Sequence, residues 1–203
     1  MNTTFMLVVT SLLLVIVLIL VFMPSYHREL EEKRAKEDED NTIKPGYYWY
    51  EDDTFSEKRI PDKKIKAIVE LVEDGFIYGD LTASELFSIK EQQLTWEEAK
   101  KFFEDFSYPC KENEKIVWYD IHQLSKVEKN CYGRVIKALI TLNKPSRYRG
   151  QWTCSECCSL RENAFIMDFH YHDSFDTPKV NINAVRPVIA MKCSDVFLLI
   201  VTY

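Results

Sequence analysis

The chain has 203 residues and a formal net charge of -6, with 46% hydrophobic and 29% charged residues. This hydrophobic content argues against a disordered chain, and the acidic balance argues against a nucleic-acid binder, which needs a concentrated basic face. The 5 glycines and 7 prolines are too few for a collagen-like or low-complexity protein. We therefore expect one folded domain.

The first element in the chain is an apolar segment at residues 5–23 that contains no charged residue. As a helix it would be about 28 Å long, close to the thickness of a hydrocarbon core. A cleaved signal peptide would need a basic start, a shorter apolar run and a small-residue cleavage site, none of which is present. We predict that residues 1–23 form an uncleaved single-pass anchor that contacts the membrane through residues 5–23.

Residues 24–45 are strongly charged and predict a linker between the anchor and the folded domain. Four Lys or Arg residues come first, and Glu37 then begins a run of four acidic residues. A solvated stalk that holds the domain away from the bilayer explains this composition. The basic residues after the anchor favour a cytosolic C-terminal domain under the positive-inside rule.

Aromatic and β-branched residues predict four strands in the first part of the domain. Residues 47–50 and 54–56 have the pattern of a short hairpin. Residues 64–72 and 76–81 have the pattern of a second hairpin, whose turn contains Gly75.

Helices are predicted in the middle of the chain. Thr95 and Glu98 have the spacing of a capping box, and aromatic residues recur at helical spacing over 96–106. This stripe is typical of a core-facing helix. A second helix is predicted over 119–131, and residues 134–142 either extend it or form a third.

The last part of the chain has the pattern of strands, at residues 151–155, 164–169, 185–191 and 196–201. Helices in the middle with strands at both ends favour an α+β class over alternating βα units.

Several short motifs then follow one another in a characteristic order. They are Pro-Gly-Tyr-Tyr-Trp-Tyr at 45–50, Leu-Thr-Trp-Glu-Glu-Ala at 94–99, Gln-Trp-Thr-Cys-Ser-Glu at 151–156, Asn-Ala-Phe-Ile-Met-Asp-Phe at 163–169 and Val-Arg-Pro-Val-Ile-Ala at 185–190. This series resembles the Fibrobacter-type major paralogous domain and the similar C-terminal domain of Legionella collagen-like proteins. The resemblance covers residues 46–191, which is most of the chain after the anchor.

The resemblance implies a C-type-lectin-like domain over residues 46–203, with short helices beside antiparallel strands and with the chain ends close together. Such domains are usually exported binding modules of bacteria, and some bind sulfated glycosaminoglycans. The segment around Trp118 and the loop at 129–149 depart from the family pattern, so the ligand residues are not carried over. The lectin calcium signatures are absent from the sequence, and we do not predict calcium-dependent sugar binding.

A local excess of basic and aromatic residues marks a candidate ligand surface in this acidic chain. It comprises Tyr132, Arg134, Lys137, Lys144, Arg147, Tyr148, Arg149, Gln151 and Arg161. The predicted ligand residues among them are Arg134, Arg147, Tyr148, Arg149 and Arg161. Arginine makes bidentate contacts with sulfate and carboxylate groups, so an anionic glycan or an acidic protein face would fit. A scattered, solvated surface is the alternative.

The chain has 6 cysteines, and three of them cluster at Cys154, Cys157 and Cys158 with His170 and His172 nearby in sequence. Thiolates and imidazoles suit a tetrahedral zinc site, although a single CxxC spacing is a weak signal. Structural thiols and disulfides are the other interpretations, and the family resemblance places Cys154 at a small-residue position of a buried strand. Alternate positions in a strand would place both histidines on one face.

No catalytic arrangement is evident in the sequence, which lacks a nucleophile elbow, a glycine-rich phosphate loop and a His-Glu-x-x-His helix. We predict a protein that is not an enzyme and has no cofactor. Asp168 and Arg186 are predicted to form a structural ion pair at the edge of the domain.

The functional prediction is a single-pass, membrane-anchored recognition or assembly module that binds a protein or an anionic glycan. The family resemblance favours an exported domain, whereas the charge bias favours a cytosolic one; we expect export. The alternative is a cytosol-facing metal- or thiol-dependent protein that uses Cys154, Cys157 and Cys158.

Overall fold

The computed structural model describes residues 42–144 and 150–193, without the side chains of residues 130–132. The chain divides into two compact units, Met1–Thr42 and Ile43–Tyr203. Because Thr42 is the one described residue of the first unit, the fold below is that of the second.

Three of the predicted segments lie outside the described residues. They are the anchor at 5–23, most of the linker at 24–45 and the strand at 196–201. Across residues 42–144 and 150–193, the structure contains no helix that is long and apolar enough to cross a membrane.

The described residues form two helices and two sheets, which confirms the predicted α+β class. The helices are α1 (Trp96–Asp105) and α2 (Ile121–Thr141), with a 3-10 turn at Leu81–Ala83. The strands are β1 (Tyr48–Tyr50), β2 (Phe55–Ser56), β3 (Ile65–Glu73), β4 (Phe76–Asp80), β5 (Gln92–Leu94), β6 (Glu114–Val117), β7 (Gly150–Glu156), β8 (Asn163–Asp168), β9 (Asp173–Pro178), β10 (Asn183–Val185) and β11 (Val188–Lys192).

One sheet has six strands in the order β2-β1-β3-β4-β11-β6, and the other has five in the order β5-β10-β7-β8-β9. All pairs are antiparallel except β10 with β7. The predicted turn between β3 and β4 is a two-residue loop in which Asp74 (φ 50°) and Gly75 (φ 76°) both have positive φ. This is the backbone of a tight hairpin turn whose twist matches that of the strands.

Helix α2 packs on the six-stranded sheet through two groups of apolar residues. Leu124 and Val127 lie in a cluster that contains residues of both sheets, including Tyr78 and Met167. The later residues of α2 pack on β1 and β3, where Leu139 is fully buried. Helix α2 therefore lies across the junction of the two sheets.

Helix α1 packs on the five-stranded sheet, as the aromatic stripe predicts. Trp96 and Ala99 contact Trp152 in a buried cluster, and the Trp96 indole N–H donates to the Thr153 carbonyl at 2.9 Å. The predicted capping box is present, since the Thr95 hydroxyl accepts from the Glu98 amide N–H.

The five-stranded sheet has β5 at one edge and β9 at the other, and β9 has few free backbone donors. The Lys179 amide N–H donates to the Glu162 carbonyl at 2.8 Å. In an antiparallel ladder, alternate residues of an edge strand bond to the neighbouring strand. The backbone groups of Ser174, Asp176 and Pro178 therefore point away from β8. The Ser174 amide N–H donates to the Asp173 carboxylate at 2.7 Å, and Pro178 has no N–H. These two features leave β9 with few free donors.

Three sequence-based assignments need correction. The segment 185–191 is two strands in different sheets, because Pro187 cannot donate a ladder hydrogen bond and the chain changes sheet there. The extension of the second helix by the segment that begins at Arg134, one of the two predicted alternatives, is confirmed, since a single helix runs to Thr141. His170 and His172 lie in the turn between β8 and β9, and His172 has φ 56°. Three short strands, β5, β6 and β9, were not predicted.

Candidate functional site

Helix α2 carries the site that the structure supports best, and its sequence explains where it begins. Asp120 is the N-cap: its carboxylate accepts from the Gln123 amide N–H, and the Gln123 side chain accepts from the Asp120 amide N–H. This reciprocal capping satisfies two donors that the first turn of a helix leaves without partners. The helix is 21 residues long, and five of its apolar residues are buried: Leu124, Val127, Val135, Ala138 and Leu139.

The opposite side of α2 is basic, although the protein as a whole is acidic. The helix contains four basic residues, Lys126, Lys129, Arg134 and Lys137, and all four are exposed. Their spacing of three, five and three residues places them on the side of the helix away from the core. We call this set the α2 basic face.

The acidic residue of α2, Glu128, does not neutralise this face. Its side chain is 9% exposed, and its carboxylate lies 2.6 Å from Nδ1 of His172 in the turn between β8 and β9. Glu128 therefore connects the helix to that turn and points away from solvent.

Most of the α2 basic face is available for a ligand. Lys126 forms an ion pair with Glu73 at the end of β3. Among the described residues, Lys129, Arg134 and Lys137 form no ion pair. Within residues 42–144 and 150–193, three exposed cations on one helix therefore have no ion-pair partner that would compete with an anionic ligand.

The structure separates the predicted ligand residues. Arg134 lies on the α2 basic face, and Arg147, Tyr148 and Arg149 lie outside the described residues. Arg161 lies in the turn between β7 and β8, and β7 meets the start of α2 where the Ile121 amide N–H donates to the Ser155 hydroxyl at 3.1 Å. Arg134 is thirteen residues further along α2, or about 20 Å at 1.5 Å per residue. Arg161 is thus not part of this face.

The predicted metal set is also separated. The Cys157 amide N–H donates to the Asn163 carbonyl at 3.1 Å, so Cys157 lies beside the start of β8, while Cys154 lies on β7. His170 and His172 follow the end of β8, five residues and about 17 Å away. No group of three or more His, Cys, Asp and Glu side chains that could hold a metal ion occurs in the parts of the chain that the structure describes.

The described cysteines are free thiols: Cys110, Cys154, Cys157, Cys158 and Cys193. Partial desolvation of its sulfur atom and the nearby Asp120 carboxylate raise the pKa of Cys154, although the residue as a whole is exposed. Hydrogen bonds from the Ser159 hydroxyl and from the backbone N–H groups of Leu160 and Ser159 lower the pKa of Cys157. Cys154 is exposed on β7, contrary to the buried position that the family resemblance implies.

Arg186 forms a buried ion pair, but its partner is not the predicted one. Its Nη1 donates to the Asp80 carboxylate at 2.9 Å and to the Thr82 hydroxyl at 3.2 Å, and its Nε donates to the Glu91 carboxylate at 2.6 Å. Asp168 instead accepts from the His170 amide N–H at 2.8 Å. The predicted Asp168–Arg186 pair is therefore wrong, while the structural role of Arg186 is supported by its complete burial.

A second buried network surrounds Lys66, near the start of β3. Lys66 is buried, with its ammonium group beside the carboxylates of Asp53 and Glu114 and 4.7 Å from the centre of the Trp49 ring. The Trp49 indole N–H also donates to Asp53 at 2.9 Å. Every charge in this network has an opposite charge beside it, so the network is structural rather than a ligand site.

The chain matches no protein-family model, and a comparison with curated proteins gives no match. The functional argument below therefore depends on the geometry of the chain itself.

Proposed function

We propose that the protein is a membrane-anchored, non-catalytic recognition module whose α+β domain binds an anionic glycan through the α2 basic face. The observation that carries this proposal is the set of three exposed cations, Lys129, Arg134 and Lys137, without ion pairs in the described part of a protein whose net charge is -6.

The dimensions of the face suit a linear polyanion. Lys126 and Lys137 are eleven residues apart, which is about 16 Å along a helix. A polymer with repeated sulfate or carboxylate groups can contact several of these side chains at once, and Arg134 can hold one group through two parallel hydrogen bonds. An acidic protein surface has the same charge but a fixed shape. The experiment below distinguishes such a protein partner from a glycan.

A C-type-lectin-like fold is part of the same proposal. It is supported by two helices beside antiparallel strands. It is also supported by the burial of residues from two of the sequence motifs: Trp152 is fully buried and donates to the Leu94 carbonyl, and Arg186 is buried beside β4. The first and last described segments of the domain both contact the β3–β4 hairpin. The Gly46 amide N–H donates to the Val69 carbonyl, and the Cys193 amide N–H donates to the Gly75 carbonyl.

Anchoring through residues 5–23 and export of the domain complete the proposal. Protease digestion of the domain from outside intact cells would support export, whereas full protection would indicate a cytosolic domain and exclude extracellular glycans as ligands.

The binding proposal is tested with the full-length protein in detergent and with heparin as a sulfated probe. We expect Lys129→Ala/Arg134→Ala/Lys137→Ala to weaken binding about tenfold, because exposed ion pairs contribute about 0.2–1 kcal/mol each. The salt dependence of binding should decrease as well. Lys100→Ala/Lys101→Ala on α1 is the matched control, since both lysines are exposed.

Equal losses in the control variant, or no binding to heparin at low salt, would contradict the glycan proposal. Binding to an acidic peptide but not to heparin, with the same dependence on α2, would assign the face to a protein partner instead.

A further inference from the structure

Two neighbouring turns of the five-stranded sheet expose aliphatic side chains to solvent. The turn between β7 and β8 exposes Leu160 at 56%, and the turn between β9 and β10 exposes Val180 at 78% and Ile182 at 66%. Within residues 42–144 and 150–193, these are the three most exposed large aliphatic residues. Single exposed apolar residues are common on protein surfaces, but a group of them in adjacent turns marks a contact with an apolar partner.

A backbone hydrogen bond holds the two turns side by side. The Lys179 amide N–H donates to the Glu162 carbonyl at 2.8 Å. Leu160 is two residues before the acceptor of this bond, and Val180 is one residue after its donor. Both residues therefore lie at the same end of the sheet, and Ile182 follows Val180 by two residues.

Each turn is closed by hydrogen bonds of its own. The Asn163 amide N–H donates to the Leu160 carbonyl at 2.9 Å, and the Asn181 amide N–H donates to the Pro178 carbonyl at 2.9 Å. The Asn181 side-chain amide donates to the Thr177 hydroxyl at 2.7 Å. Polar groups that are bonded within the protein do not need water as a partner, so moving these turns into a less polar environment costs less.

The size of this apolar surface favours a lipid bilayer over a protein partner. Three aliphatic side chains cannot fill the area of about 800 Å² that each partner contributes to a standard protein interface. A bilayer surface is fluid, so aliphatic side chains on turns can enter it without a partner of matching shape.

Arg161 places a positive charge next to Leu160. Its side chain is exposed and forms no ion pair among the described residues. Arginine can lay its apolar stem along an apolar layer and donate two parallel hydrogen bonds to a phosphate group. Lys179 in the neighbouring turn is paired with Glu156 at 2.6 Å, and the exposed Glu162 follows Arg161. We therefore expect only a modest preference for anionic phospholipids.

The proposed anchor is the second argument for a bilayer, because it would keep the domain close to one. Residues 24–42 can extend at most about 65 Å, at about 3.5 Å per residue. A folded unit of the length of Ile43–Tyr203 is about 40 Å across, so this reach is long enough for any of its faces to contact the bilayer. A tether also makes docking intramolecular, and the high effective concentration allows a contact that would be too weak between free molecules.

We propose that the two turns with Leu160, Val180 and Ile182 are a docking site for the surface of a phospholipid bilayer. The three side chains enter the boundary between headgroups and acyl chains, and Arg161 contacts a phosphate group. Docking gives the domain a fixed orientation on the membrane, which a flexible tether alone does not. This inference rests on the proposed anchor and is independent of glycan binding.

The experiment uses full-length Val180→Trp in vesicles of phosphatidylcholine and phosphatidylglycerol, with and without bromine on the acyl chains. Bromine quenches an indole only at short range. We expect the fluorescence of the introduced tryptophan, measured as the difference from the native protein, to be quenched in brominated vesicles. Val72→Trp, at an exposed valine of β3, is the matched control and should not be quenched.

Leu160→Ser/Ile182→Ser, introduced into the Val180→Trp protein, measures the contribution of the neighbouring side chains. Each aliphatic side chain that leaves water should change the ratio of docked to free domain about tenfold. The two substitutions should therefore lower this ratio about a hundredfold and restore the fluorescence. Thermal melting checks that the variant is folded.

Equal fluorescence of Val180→Trp in the two kinds of vesicle, or equal quenching of Val72→Trp, would overturn the proposal. Self-association that Leu160→Ser/Ile182→Ser abolishes, without quenching of Val180→Trp, would assign the turns to a second copy of the chain instead. Vesicle flotation tests the anchor separately. A chain that floats without quenching is anchored but not docked, whereas a chain that does not float contradicts both proposals.

Discussion

Replacing Arg186 by methionine tests whether the buried ion pair stabilises the domain as the structure indicates. Met fills a similar length of the buried space but removes the guanidinium group that donates to Asp80, Thr82 and Glu91. The Asp80 and Arg186 side chains are both 0% exposed, so the carboxylate cannot be solvated without opening the core. Breaking a buried pair from one side typically costs about 3–5 kcal/mol.

For a domain of this size, each kcal/mol lowers the melting temperature by about 2–4 °C, so we expect a decrease of about 6–20 °C. The free energy of unfolding would be measured by urea titration of tryptophan fluorescence. Asp80→Asn, which keeps oxygen as an acceptor for the Thr82 amide N–H, is then combined with Arg186→Met. The double variant should be at least about 2 kcal/mol more stable than the sum of the single losses predicts. A loss below about 1 kcal/mol for Arg186→Met, or strict additivity, would refute this reasoning.

Three further predictions concern single side chains. Thr95→Ala removes the hydroxyl cap of α1 and should cost about 1 kcal/mol in the free energy of unfolding, measured by urea titration. Gly79→Ala places a methyl group 2.7 Å from Cβ of Ala67, and overpacking of this kind should cost about 1–3 kcal/mol in the same assay; a neutral effect would show that the sheet can move apart. Burial raises the pKa of Asp52, but hydrogen bonds from Lys63 and Thr54 outweigh it and lower the pKa to about 2. Stability from this carboxylate is complete above its ordinary pKa of 3.8 and is lost as the pH falls toward 2, so Asp52→Asn should flatten the acid side of a melting-temperature profile between about pH 4 and pH 2.

The elements with strong local signals could be predicted from the sequence. The capping box at Thr95 and the aromatic stripe define α1 because both signals lie within one segment. The Asp-Gly pair at 74–75 defines the β3–β4 hairpin for the same reason. The short strands β5, β6 and β9 could not be predicted, because three to six residues carry too weak a local pattern and become strands only when a neighbouring strand supplies hydrogen bonds.

The candidate site was predicted in part, and the missed residues had a usable signal. Arg134 was selected for its local basic surroundings, but Lys126 and Lys129 were not, because the predicted second helix was separated from the segment that begins at Arg134. Once both segments are one helix, the spacing of the basic residues places them together. The partners of Arg186 could not be predicted, since Asp80 and Glu91 are 106 and 95 residues away in the chain.

The shortage of free backbone donors on β9 affects whether crowded copies of the domain aggregate through this strand. Exposed strand edges allow sheets from neighbouring molecules to join and to propagate as aggregates. Here the Asp173 carboxylate occupies the Ser174 donor, and Pro178 removes another. Crowding of many copies in a small area should therefore not lead to edge-to-edge polymerisation through β9. Asp173→Ala/Pro178→Val would restore both donors and would be the variant in which such polymerisation first appears.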